Sequence, residues 1–383
     1  MKYRKFGPLD WEVSALGFGA MRLPVMEDDS SRIDEPEALA MMRHAIDQGV
    51  NYLDTAYPYH HQQSEGLVGK VLKDGYREKV KVATKMPCWL VKTESDFDKY
   101  LEKQMKRLDI DQVDFYLLHS LNQPSWQKVK NLGVLEWAEK RMAEGLFAYL
   151  GFSFHDDYPV FEEIVKGYDN WTLAQIQYNY MDVDYQAGKK GLHLADDRGL
   201  AVVVMEPLRG GRIATNPPPA PVEKVLEKSE RNWSPADWAF HWLWDQPEVA
   251  TTLSGMSTMQ QVQENLAAAS ESAVGLLTAK DHALIEEVRE AYSSLAPIPC
   301  TSCEYCLPCP NGVAIPRIFS IYNDAVSYDA WGHAKWAYNN QLNADEMANM
   351  CIECGECEVV CPQHIEIIEW LAKVHDALAE TAE

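Results

Sequence analysis

Short runs of Val, Leu, Ile, Tyr and Phe recur through the first three quarters of the chain, each followed by a longer stretch whose apolar residues fall three and four apart. The short runs predict strands over 13–21, 51–55, 80–85, 113–119, 148–153, 173–178, 201–205 and 251–254, and the longer stretches predict helices. Eight strands alternating with helices point to a closed parallel (β/α)8 TIM barrel. An open doubly wound sheet is the alternative, but the spaced-glycine dinucleotide fingerprint is missing after the first strand, where Gly17-Phe18-Gly19 stands instead. Pro217-Pro218-Pro219-Ala220-Pro221 reads as a long excursion on the loop face, either closing over a ligand or lying inert at the surface. A helical run over 278–292 precedes Leu295-Ala296-Pro297-Ile298-Pro299, so the expected division is a barrel over 1–295 and a smaller, mainly helical domain over 296–383. Helical patterning recurs there at 315–325 and 344–350.

Cysteine usage changes the picture. Eight of nine cysteines lie in two runs of that second domain, Cys300-x2-Cys303-x2-Cys306-x2-Cys309-Pro310 and Cys351-x2-Cys354-x2-Cys357-x3-Cys361-Pro362. The second run has the spacing of a bacterial ferredoxin site, in which three thiolates hold one iron-sulfur cube and the cysteine before proline reaches the other. Cross-ligation is therefore expected: Cys300, Cys303, Cys306 and Cys361 on one 4Fe-4S cluster, and Cys351, Cys354, Cys357 and Cys309 on the other. The first run is one residue short before Cys309. Structural zinc in four-cysteine sites and disulfides are the competing readings; a third cysteine in each run and the Cys-Pro endings argue against zinc, and the N-terminus carries no secretory signal that would favour disulfides.

With 58 acidic against 35 basic side chains the net charge is −23, which disfavours nucleic acid and anionic membrane surfaces as partners. From Ala296 onward 13 acids face 3 bases. Such a face suits a basic redox protein as a candidate partner, or is simply solvated. No apolar run reaches membrane length, and thiolate ligands fit a cytoplasmic protein.

In a parallel barrel, catalytic groups gather where strands deliver their C-terminal ends. Asp54 ends the second predicted strand, Lys85 the third and His119 the fourth, with Tyr59 in the loop after Asp54. Such a set suits proton donation: the ammonium of Lys85 would ease loss of the Tyr59 proton, Asp54 would keep Lys85 charged and aimed, and His119 would orient a substrate oxygen. Taken singly, each residue is as readily structural.

Asp54-Thr55-Ala56-x-x-Tyr59, Ser64-Glu65, Thr84-Lys85 and Leu118-His119 together resemble the aldo-keto reductase family, over roughly residues 1 to 295. The resemblance implies an NAD(P)H-dependent oxidoreductase moving a hydride between nicotinamide and an aldehyde, ketone or alcohol, with Tyr59 as acid/base. It further implies a cofactor cleft at Gly19, around Ser153 and Gln175 for the carboxamide, Met205 against the nicotinamide, and Leu208 and Gly210 over the pyrophosphate. Gly255, Met256, Ser257, Gln261, Glu264 and Asn265 would hold the adenosine end, where a helix start suits phosphate. Gly255 and Gln261 stand where that family often carries a lysine and an arginine on the 2′-phosphate, so NAD is expected to serve at least as well as NADP, with Arg209 and Arg212 as substitute clamps. The two cysteine runs resemble the extension of a family subgroup carrying ferredoxin-type clusters.

A cluster moves single electrons and nicotinamide moves pairs, and no flavin motif links them. The clusters are thus expected to pin structure, sense oxidation or serve an unidentified electron route. A different class of protein also fits the sequence, an electron-transfer or partner-binding subunit whose barrel is mainly scaffold.

Overall fold

The computed structural model describes residues 1–27, 29–300, 304–361 and 363–379. The chain divides into two compact units, one of Met1–Gly210 and Trp233–Thr278, the other of Gly211–Asn232 and the described residues from Ala279 onward.

In the first unit, a hairpin of β1 (Tyr3–Lys5) and β2 (Glu12–Ser14) precedes eight strands: β3 (Leu16–Gly19), β4 (Tyr52–Asp54), β5 (Lys81–Met86), β6 (Val113–Leu121), β7 (Phe147–Phe154), β8 (Leu173–Gln177), β9 (Ala201–Met205) and β10 (Val249–Ser254). They pair in sequence order and β10 returns to β3, closing the predicted (β/α)8 barrel with every rung parallel. The strands are legible because both faces of a parallel sheet are covered, so they read as continuous apolar runs such as the fully buried Val202-Val203-Val204. Tyr52, Phe115, Leu173, Val203 and Leu253 fill the interior together with Phe6 and Val13 of the N-terminal segment. Phe6 meets Phe115 at a ring-centroid distance of 4.9 Å, and burying such a ring contributes about 2–3 kcal/mol. The predicted first strand is thus two pieces, since β2 turns outward to pair antiparallel with β1 before β3 enters the wall.

The second unit is helical. Ile315–Ser327, Trp331–Gln341 and Ile367–Leu378 surround a core of Ile318, Phe319, Tyr338, Leu371 and Val374. The patterning at 344–350 yields only a single tight turn, Ala348–Met350, because the amide of Ala348 is taken by the Tyr338 hydroxyl at 3.0 Å and the carboxylate of Glu346 caps Asn343. The proline-rich excursion belongs to this unit: helix Ala220–Leu226 packs on helix Ala279–Ser294, and Arg231 pairs with Asp281 at 2.7 Å. Among the described residues no helix is long and apolar enough to cross a membrane.

Candidate active site and cysteine cradles

The parallel register sets Gly19 beside Asp54 and Asp54 beside Ala83, bringing the carboxyl ends of β3, β4 and β5 to one rim. There Lys85, with its side chain fully buried, donates to Asp54 Oδ1 at 2.6 Å, to the Thr55 carbonyl at 2.9 Å and to the Tyr59 hydroxyl at 3.3 Å. Tyr59 is half-buried, and its ring meets His119 edge-on at 5.9 Å between centroids. The four predicted residues therefore line one mouth. Beneath them Glu65, wholly buried, accepts from Thr84 at 2.7 Å, Gln104 at 2.6 Å and Arg107 at 3.0 Å, and Gln104 also donates to the Lys85 carbonyl. Ser64 ties Thr55 to the Ala20 carbonyl, at 2.8 Å each.

Electrostatics at the rim follow from burial opposed by the ion pair. Burial pulls Lys85 down, but Asp54 and Tyr59 outweigh it and the ammonium is held more firmly than in free lysine. Burial pushes Asp54 up against the lowering pull of Lys85, and its Oδ2 has no hydrogen-bond partner among the described residues. The expectation that Tyr59 ionises more readily is corrected here: burial of the phenol exceeds the pull of Lys85, and Asp54 adds to it, so the hydroxyl holds its proton above the ordinary tyrosine range. His119 is held well below its ordinary value by burial, then by Lys85 and His155, so its ring is neutral. Its Nδ1 is buried and unpartnered among the described residues, and the exposed Trp89 packs on its ring at 5.1 Å. Cys88 is buried beside it with a thiol pushed up to about 12, an inert packing group.

Across the mouth, Ser153 stands opposite Gln175 in the β7–β8 register, and Gln175 Nε2 lies 3.7 Å from Met205 Sδ. Ser153 Oγ accepts the Ser120 amide, whereas Gln175 Oε1 is buried with no partner among the described residues. That orphaned oxygen is a ready acceptor for an amide, and the set fits a nicotinamide carboxamide. At the other end Thr258 caps helix Met259–Glu271, Ser257 donates its amide to Gln261 and its hydroxyl to the Arg22 carbonyl, and Asn265 bonds Ser254. Met256 turns its side chain into the core, leaving only backbone for a ligand, and Glu264 is bonded to Gln260 at the surface. Leu208 packs on the barrel core. Of the expected substitute clamps, Arg209 pairs with Asp182 at 3.2 Å, while Arg212 belongs to the second unit and pairs there with Asp324 at 2.6 Å. Sequence reasoning missed Arg22: it pairs with Glu206 at 3.0 Å, and its side chain would lie 3.1 Å from a Cβ at Gly255 and 3.5 Å from one at Gly210. Its only linear signal is its place just after the first barrel strand.

In the second unit, Cys300, Cys306 and Cys361 line one recess walled by Ile315, Phe319, Ile365 and Ile367. Cys303 lies outside the described residues. Cys357 is raised to about 11 by burial first, then by Glu358 and by the charges of Cys351 and Cys354. Asn311, two residues after Cys309, donates to the Met350 carbonyl next to Cys351 and so brings the end of the first run to the start of the second. Among the described residues no His, Cys, Asp or Glu groups close on a single ion. Thiols framing an apolar recess are a donor set that fits an iron-sulfur cube.

An ion-paired lysine feeding a phenol at the carboxyl rim of a parallel barrel, with a thiol-rich helical extension, defines a redox enzyme of the barrel class. Residues 15–290 match the model of the aldo/keto reductase family and residues 299–366 that of a 4Fe-4S dicluster domain. The chain belongs to the aldo/keto reductase family, as an oxidoreductase with a C-terminal dicluster domain. It is similar to an uncharacterised oxidoreductase of Bacillus subtilis, 25% identical over 299 residues and covering 70% of this chain and 92% of the relative. It is likewise similar to a protein of Escherichia coli named NADH-specific methylglyoxal reductase, 26% identical over 340 residues, 76% of this chain and 99% of that one. Among solved structures, the holo form of an aldo-keto reductase from Bacillus halodurans superposes with a TM-score of 0.63 at 27% identity, covering 75% of this chain and 96% of that chain.

Proposed function

We propose that the chain reduces an aldehyde or ketone, or oxidises the alcohol, with Tyr59 as the proton donor and acceptor. The observation that carries this reading is the single ammonium of Lys85 bonded at once to Asp54 and to the Tyr59 hydroxyl. A carbonyl oxygen seated between Tyr59 and the neutral His119 meets two aligned groups: the phenol donates its proton as negative charge develops, and the imidazole orients the oxygen by hydrogen bonding. Lys85 steadies the phenolate left behind, Asp54 holds Lys85 in place, and the buried setting keeps water from competing. The nicotinamide, when bound, supplies the hydride. Tyr59→Phe should bind cofactor normally and lose turnover by about 10²-fold or more; unchanged turnover with 4-nitrobenzaldehyde would remove the assignment.

Ser153, Gln175 and Met205 would receive the nicotinamide, Gly19, Leu208 and Gly210 the pyrophosphate, and Gly255, Met256, Ser257, Gln261, Glu264 and Asn265 the adenosine end. The absence of charge at Gly255 and Gln261 supports NADH serving at least as well as NADPH, in keeping with the name of the Escherichia coli relative. We assign residues 1–295 to the reductase module and 296–383 to a module with two cross-ligated 4Fe-4S clusters, as the spans of the two matched family models support. The thiolate sets suit the reducing cytoplasm, and the acidic C-terminal surface suits a basic redox partner.

A further inference from the structure

The segment that carries the proposed acid has an uncommon backbone. Directly after Tyr59, His60 (φ 48, ψ 50), His61 (φ 52, ψ 40) and Gln62 (φ 73) lie in succession in the left-handed region. Side chains other than glycine visit that region singly, and a run of three persists only where surrounding contacts impose it. The contacts are present on both sides. Gln62 Oε1 is gripped by Arg107 at 2.5 Å and Lys103 at 3.4 Å from helix Ser95–Leu108. On the other side, His60 is buried between two backbone groups of the loop that follows β3: its Nε2 accepts the Leu23 amide at 3.1 Å, and its Nδ1 donates to the Ser30 carbonyl at 2.9 Å. One tautomer, protonated on Nδ1, satisfies both. His61 bonds Ser30 Oγ at 3.2 Å, and Gln63 donates to the Ser31 carbonyl.

We infer that His60 is a positioning residue for the reaction: it latches the loop after β3 to the left-handed turn and so fixes where the Tyr59 hydroxyl stands relative to Lys85 and the substrate oxygen. The inference rests on Tyr59 being the proton donor. The loop is itself anchored to the β4–β5 rim, through the Ala20 amide on the Asp54 carbonyl at 2.7 Å and Ser64 on the Ala20 carbonyl. The latch therefore closes a ring running from Asp54 through the loop and His60 back to Tyr59. A ring of this kind holds the phenol at 3.3 Å from Lys85 although the residues between Tyr59 and the next helix are in a conformation they would not choose alone.

The test uses the full cluster-loaded protein with NADH and 4-nitrobenzaldehyde. His60→Gly removes the latch while keeping a residue at home in the left-handed region, and His60→Asn tolerates that region and returns a donor toward Ser30. His60→Gly should lower kcat on the order of tenfold or more, the scale of a misplaced reacting group, with NADH affinity by tryptophan fluorescence unchanged, and His60→Asn should recover part of kcat. Wild-type kcat in His60→Gly, or a loss of NADH binding that matches the loss of kcat in both variants, would overturn the inference. Tyr59→Phe run alongside separates the two readings. An inert Tyr59→Phe with an unaffected His60→Gly defeats the latch alone, whereas an active Tyr59→Phe defeats the proton donor and the latch with it.

Discussion

Replacing Lys85 by Met removes the cation from a pair whose partner cannot reach water. At 2.6 Å, and with an effective dielectric constant of about 20, the Lys85–Asp54 attraction is about 6 kcal/mol. Desolvation of two ions, several kcal/mol each, offsets most of it, so the intact pair is near neutral for stability. The single substitution is different, because Asp54 keeps its desolvation cost, loses its counter-ion and already has one oxygen unpartnered. Lys85→Met is expected to lose about 3–5 kcal/mol, with the Thr55 carbonyl contributing about 1 kcal/mol of that when its donor goes. Urea unfolding followed by tryptophan fluorescence reads the barrel, whose Trp126 and Trp244 are fully buried. The double variant Lys85→Met with Asp54→Leu, which removes both ions, should regain most of the loss while remaining inactive. A single variant within about 1 kcal/mol of the parent, or a double variant weaker than the single, would refute a buried, mutually dependent pair.

His119 is neutral when folded but protonates near pH 6.5 when unfolded, and a depressed folded value contributes stability above about pH 6.5 that is lost as pH falls toward that folded value; the drop in urea midpoint from neutral to mildly acidic pH should be smaller in His119→Gln than in the parent. Cys300→Ser and Cys361→Ser, at one recess, should lose the same cluster signal in electron paramagnetic resonance, and the double variant should lose no more. Two separate, additive losses would break the cross-ligation. Gln261→Arg should tighten NADPH binding over NADH in fluorescence titrations by about tenfold, the effect of a charge-assisted bond to the 2′-phosphate; no change would move the adenosine end elsewhere.

All eight barrel strands were legible because each buries both faces and declares itself as an apolar run, and Asp54, Lys85 and His119 were legible because each closes such a run. The β1–β2 hairpin was not, since three-residue strands carry too little periodicity, and the split between β2 and β3 turns on pairing with a segment nine residues upstream. Residues 344–350 have a helical pattern that a single long-range bond from Tyr338 overrides. The direction of the Tyr59 shift was hidden for a similar reason: the nearby ammonium can be read from strand ends, but the depth of burial opposing it exists only once the barrel closes. Arg22 and His60 are bonded to partners far along the chain, Glu206 and Ser30 among them, and no local motif announces either.

A phenol that keeps its proton more firmly than free tyrosine is a reservoir before it is a sink. Near neutral pH such a group is stocked for handing protons out, whereas running the chemistry toward a carbonyl product needs it emptied first, which only alkaline solution would do readily. Solvent exclusion around the Tyr59 hydroxyl would thus make alcohol oxidation the more alkali-dependent direction, while the balance between the two directions stays with the cofactor and the carbonyl compound.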